Sequence, residues 1–122
     1  MSPEPRPHRA VLLRQPDIEG TISIVTMDEF FRGAVRLHLL HHAAEGPIHG
    51  TWMMRELARH GYRVGPGTIY PTLHKMEIDG LLVSKRELVE GHLLRRYRIS
   101  AKGRRTLARA QRALRELVDE VL

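Results

Sequence analysis

From Phe30 onward, apolar side chains recur every three or four residues, at Phe30, Ala34, Leu37, Leu40 and Ala44, the stripe of a helix with one face in a core. Thr26 and Glu29 precede it at the spacing of a capping box, so the pattern predicts a first helix over residues 27–44. Gly46-Pro47 ends that period. A second apolar set, Met53, Met54, Leu57 and Ala58, predicts a short helix closed by Gly61 as a left-handed cap. Gly65-Pro66-Gly67 breaks the chain again before Ile69, Leu73 and Met76, which mark a third helix closed by Gly80. With Thr68 as its N-cap, Pro71 falls in the first turn, where a missing N–H costs no intrahelical bond.

After Gly80 the period changes to that of strands. Residues 81–88 and 94–99 are rich in strand formers, and residues 89–93, containing Gly91, suit a hairpin turn. Ser100 caps a last helix over residues 101–122, about 33 Å long at about 1.5 Å per residue. Along it Leu107, Ala110, Leu114, Leu117 and Val121 repeat at heptad-like intervals. A helix this long overhangs so small a core, and its apolar seam predicts a symmetric homodimer closed by Leu107, Leu114, Leu117 and Val121. Residues 1–26, with Pro3, Pro5, Pro7 and Pro16, are expected to be a flexible extension, in which residues 21–25, Thr-Ile-Ser-Ile-Val, offer an edge strand.

Three helices, a two-stranded ribbon and a long helix define a mainly α chain with a small β-hairpin: a winged helix-turn-helix (27–99) followed by a C-terminal dimerisation helix (100–122). In that architecture the third helix enters the major groove of DNA. Burying Ile69, Leu73 and Met76 turns Thr68, Thr72 and Lys75 outward with Tyr70 and His74 on the flank, groups suited to base edges and phosphates. The hairpin adds Lys85, Arg86, Arg95, Arg96 and Arg98. Strand alternation places Tyr97 and Ile99 toward the core and Arg96 and Arg98 away from it.

Charge agrees with this reading. The 122 residues carry 20 Lys and Arg against 14 Asp and Glu, a net charge of +6, and the stretch between Glu90 and Glu116 holds no acid at all. Double-stranded DNA is the expected partner. The absence of cysteine removes disulfides, thiolate metal sites and cysteine nucleophiles. The sequence holds no serine elbow, phosphate-binding glycine loop or paired-carboxylate motif, so no enzyme is expected. No apolar run reaches membrane-spanning length, and a soluble, cytoplasmic protein is anticipated. The rival reading is a winged helix used for protein interaction or RNA binding. An interaction module would favour apolar groups where Thr68, Thr72 and Lys75 stand.

Several stretches carry a family resemblance: Gly46-Pro47-Ile48-His49-Gly50, then Gly65-Pro66-Gly67-Thr68-Ile69-Tyr70-Pro71-Thr72-Leu73, then Glu77 with Gly80-Leu81-Leu82, then Tyr97-Arg98-Ile99-Ser100 with Gly103. Over residues 30–122 the chain resembles PadR-type transcriptional regulators, in the short form with a single C-terminal helix. The resemblance implies a DNA-binding repressor whose ligands, where it has them, are often phenolic or aromatic. Where the family's wing commonly carries Arg-Pro-Arg after the turn, His92-Leu93-Leu94 stand here, and the basic residues have moved to Arg95 and Arg96.

Eight histidines raise a second chemical question. His38 and His42 lie four apart on the first helix with His41 adjoining, a spacing at which neutral imidazoles can hold a transition ion such as zinc or cadmium. His49, Glu45 or a second subunit would complete the set. Trp52, Met53 and Met54 read as packing residues, with a wall for an aromatic effector as the alternative. No cofactor is required by the sequence.

Overall fold

The computed structural model describes the backbone from Ile18 and the side chains from Met27 to Leu122. It comprises α1 (Ile18–Glu45), α2 (Gly50–Arg59), α3 (Pro66–Ile78), β1 (Leu82–Val89), β2 (His92–Ile99) and α4 (Ala101–Val121). The chain divides into two units, Met1–Gly33 and Ala34–Leu122. In the first unit, the part of α1 with described side chains exposes Met27, Phe30 and Phe31, the two rings meeting edge to face at 6.1 Å.

The first helix starts earlier than its pattern implied. Thr26 lies inside α1 instead of capping it, and residues 21–25 are helical instead of forming a strand. β-Branched residues cost a helix only a few tenths of a kcal/mol each, less than an established helix gains by adding one hydrogen bond per residue. Of the expected 1–26 extension, residues 18–26 are therefore helical, and residues 1–17 lie outside the described part.

The second unit holds the core. Val35, Leu39, Leu40 and Ala43 of α1 pack with Met53 and Leu57 of α2, Ile69, Leu73 and Met76 of α3, and Leu82, Tyr97 and Ile48. Fully burying each Leu, Ile or Met contributes about 1.5–3 kcal/mol. The stripe on α1 is rotated by about one residue from the one expected, with Leu37 and Ala44 at its margins and Phe30 exposed. Two C-terminal caps appear where glycine signalled them: the N–H of Tyr62 reaches Leu57 O (2.9 Å) beyond Gly61, and that of Leu81 reaches Met76 O (2.9 Å) beyond Gly80.

Helix α3 also begins before its expected cap. Gly65 is the N-cap and Pro66 the first helical residue, which leaves Thr68 within the first turn and Pro71 inside the helix. Proline's fixed φ favours the first helical position, and Pro66 takes it, so the helix absorbs the lost ladder bond at Pro71. The hairpin is tighter than the five-residue turn expected. Register runs from Leu82↔Ile99 to Val89↔His92, so only Glu90 and Gly91 connect the strands. Both have positive φ, 50° and 80°, as the twist-matched type I′ turn requires, and β2 therefore begins at His92 instead of Leu94. Ile48, ahead of α2, adds one more rung: it exchanges backbone hydrogen bonds with Tyr97 at 2.8 and 2.9 Å.

Ser100 caps α4 as its position implied, accepting from the Gly103 N–H at 2.9 Å and donating to Gly80 O at 2.5 Å. Leu107 is 8% exposed and belongs to the core of its own chain, not to an external seam. From Gln111 onward every residue of α4 is exposed, with Leu114, Leu117, Val118 and Val121 among them.

Candidate nucleic-acid interface

Helices α2 and α3 meet closely at their N-terminal ends. The Thr51 hydroxyl lies 3.2 Å from the Tyr70 hydroxyl, and a Cβ at Gly50 would overlap the Tyr70 ring, so α2 approaches α3 with only a hydrogen atom between. That contact holds the outer face of α3 in place. Ile69, Leu73 and Met76 are buried and Thr68, Tyr70, His74 and Lys75 are exposed, as the spacing predicted, whereas Thr72, expected to face outward with them, is half-buried. The Thr72 hydroxyl donates to Thr68 O at 2.7 Å, which leaves its oxygen as an acceptor toward any base edge. Lys75 Nζ lies 2.8 Å from Asp79 Oδ1. The hydrogen bond from Lys75 holds the Asp79 carboxyl below the usual range, with the charges of Lys75, Arg36 and Lys102 acting the same way and desolvation opposing.

The hairpin sorts its cations onto two faces. Leu82, Ser84, Arg86 and Leu88 of β1 share a face with Ile99, Tyr97, Arg95 and Leu93 of β2, and Arg86 stands directly opposite Arg95. The other face carries Lys85 opposite Arg96 and Val83 opposite Arg98. Lys85, Arg86, Arg95 and Arg98 are exposed.

Arg96 is not exposed as expected. It is half-buried, its Nε 2.9 Å from Glu87 Oε1 but misaligned, so the pair is ionic while that buried nitrogen lacks a hydrogen bond. His49 Nε2, from the segment between α1 and α2, approaches the same Glu87 oxygen at 3.4 Å. Alternation sets the face on which Arg96 stands but not its ion pair with Glu87, which is why Arg96 read simply as facing away from the core.

A network absent from the sequence reading joins α3 to the hairpin. Glu77 accepts from the Ser84 N–H (3.0 Å) and from the Ser84 hydroxyl (2.8 and 2.9 Å to its two oxygens). Arg95 Nη1 in turn donates to Ser84 Oγ at 3.0 Å. Burial, and then the nearby Glu77 charge, push the Tyr97 phenol above its ordinary pKa. The only sequence signal for this network was Glu77 itself, within a motif.

The histidines assemble differently from the proposed His38–His42 pair. Those two rings stack nearly parallel with centroids 6.3 Å apart. His41, His42 and Glu45 instead bring ligand atoms within 4.8 Å of one another, a set that could hold a divalent ion. His38 packs on His60 (5.1 Å) and against the edge of Tyr62 (5.2 Å). Burial holds its pKa below the ordinary value, and His60, His42 and His41 add to this while Glu56 opposes it. Trp52 is not core: it is exposed, meets His42 edge to face at 5.4 Å, and borders an open groove of about 610 Å³ with Arg55, Val89 and Leu94. Met53 is buried and Met54 half-buried.

A helix pair presenting a polar helix face beside a cationic hairpin defines a winged-helix DNA-binding protein. Residues 39–109 match the transcriptional regulator PadR-like family, and the chain belongs to that family. Its regulators bind DNA and are not enzymes. The chain is 58% identical over 96 residues to Transcriptional regulator Rv3488 of Mycobacterium tuberculosis, spanning 79% of this chain and 90% of that one. Among solved structures it resembles a PadR family transcriptional regulator from Eggerthella lenta (TM-score 0.70, 27% identity, 84% of this chain and 90% of that one). A PadR-like transcription factor from Bacteroides fragilis shares the fold (TM-score 0.69, 22% identity, 79% and 94%). No helix among the described residues is long and apolar enough to cross a membrane.

Proposed function

We propose that the protein is a cytoplasmic repressor that binds a palindromic operator as a homodimer and responds to a ligand. One observation carries the reading: α3 exposes Thr68, Tyr70, His74 and Lys75 beside four exposed hairpin cations, while α4 leaves Leu114, Leu117, Val118 and Val121 uncovered within the chain. Pairing two copies through α4 covers that apolar stripe and presents two α3 helices to one duplex, with half-sites about 34 Å apart. Footprinting on the DNA upstream of the protein's own gene tests this, with a two-fold symmetric protected segment as the expected result. Protection no stronger than on random DNA at any salt concentration overturns it.

The regulatory input supported best is a divalent ion held by His41, His42 and Glu45, with an aromatic molecule beside Trp52 as the second candidate. Calorimetry with zinc should give binding that is lost in His42→Ala. Unchanged zinc affinity in His42→Ala removes the ion from the account.

A further inference from the structure

Three charged groups stand where an isolated element would not favour them. Glu77 occupies the last turn of α3, where the helix dipole disfavours a carboxylate by about 0.3–1 kcal/mol. Arg86 and Arg95 face each other across the hairpin, where like charges repel. Ser84 links the two anomalies. Its N–H and hydroxyl both donate to Glu77, at 2.8–3.0 Å, and its oxygen accepts from Arg95 at 3.0 Å. The chain of bonds runs from the carboxylate at the end of the DNA-facing helix to a guanidinium on the wing. A guanidinium has five donors, and this arrangement engages one, leaving four for an external anion.

We propose that Glu77 and Ser84 are positioning residues that hold Arg95 ready for a DNA phosphate, an inference that rests on the DNA-binding reading above. A long arginine side chain loses rotamer freedom when it docks, and a hydroxyl that fixes it beforehand removes part of that cost. The same bonds fix the wing to α3, so the phosphate contact and the groove contacts keep a constant spacing. The rival account makes Glu77 a mere neutraliser of excess positive charge. The two accounts differ in sign. Deleting a carboxylate near DNA should tighten binding if only its charge matters, and should weaken binding if it positions Arg95.

The test measures fluorescence anisotropy of the full chain on a labelled duplex carrying the footprinted segment and on a random duplex of equal length. Ser84→Ala, which changes no charge, is expected to weaken binding about fivefold, the size of one oriented hydrogen-bonded contact. Glu77→Ala should weaken it as well, despite the added net positive charge. Ser84→Thr, which keeps the hydroxyl, should restore wild-type affinity, and Tm recorded alongside separates loss of fold from loss of contact. Ser84→Ala/Arg95→Ala should bind no more weakly than Arg95→Ala alone, because the serine acts through the arginine. Wild-type affinity or tighter in Ser84→Ala and Glu77→Ala, or multiplying losses in the double variant, overturns the relay while leaving DNA binding intact. A wild-type chain that binds neither duplex overturns both.

Discussion

Of the five wing cations, Arg96 alone stands within ion-pair distance of a carboxylate among the described residues, so part of its charge is already answered inside the molecule. Arg98 has no such partner among the described residues. Arg98→Ala is expected to shallow the slope of log affinity against log salt by about one unit, since one phosphate contact releases about one counterion. Arg96→Ala should change it by clearly less. Binding titrations across a potassium chloride series measure both. A second residue-scale consequence concerns His38, whose folded-state pKa lies below 6.5 because burial and its neighbours His60, His42 and His41 disfavour the imidazolium, against the opposing charge of Glu56. In the unfolded chain His38 takes up its proton first as pH drops. Stability is therefore unaffected by this group well above pH 6.5 and falls as pH descends from there toward the folded pKa. Thermal melts from pH 7.5 to 5 should show a smaller loss of Tm in His38→Gln than in the wild type.

At the scale of elements, α4 divides its labour along its length. Its first two turns serve the chain's own core through Leu107 and are stapled by Ser100 to the α3–β1 junction, whereas its remainder contributes nothing to that core. Ser100→Ala should cost about 1 kcal/mol as a lost N-cap, lowering Tm by about 4–8 °C for a domain of this size. Leu114→Asp/Leu117→Asp should leave the fold intact and yield a monomer, because an apolar seam pays several kcal/mol for an unpaired buried charge. Sedimentation equilibrium decides, and a variant that remains dimeric moves the interface away from α4. The elements themselves were legible because glycine, proline and serine mark their ends. Gly61, Gly80 and Ser100 act where the sequence put them. The failures came where two weak signals competed. Thr26 offered a cap that a longer helix overran, and Thr68 offered one that Gly65-Pro66 took first.

For the molecule as a whole, class was readable and pairing was not. The outward face of α3 follows from helical period alone, so Thr68, Tyr70, His74 and Lys75 were found without coordinates. Arg95 and Arg96 meet Ser84 and Glu87 of β1, which are tied in turn to Glu77 of α3 and to His49 before α2, distant in sequence, and no period in the strands records those links. The same limit applies to the histidines, since a four-residue spacing fixes a shared face but not the ring orientation that brings His41 and Glu45, rather than His38, together with His42. The reciprocal bonds between Ile48 and Tyr97 differ in kind from all these contacts, being written entirely in main chain. Almost any residue at either position can form them, and only proline lacks the donor. The wing's attachment is thus insulated from evolutionary drift in its side chains: a lineage can exchange the wing's cations while the strand stays moored. Amide exchange should reveal this mooring, with the Ile48 and Tyr97 protons opening at a common rate.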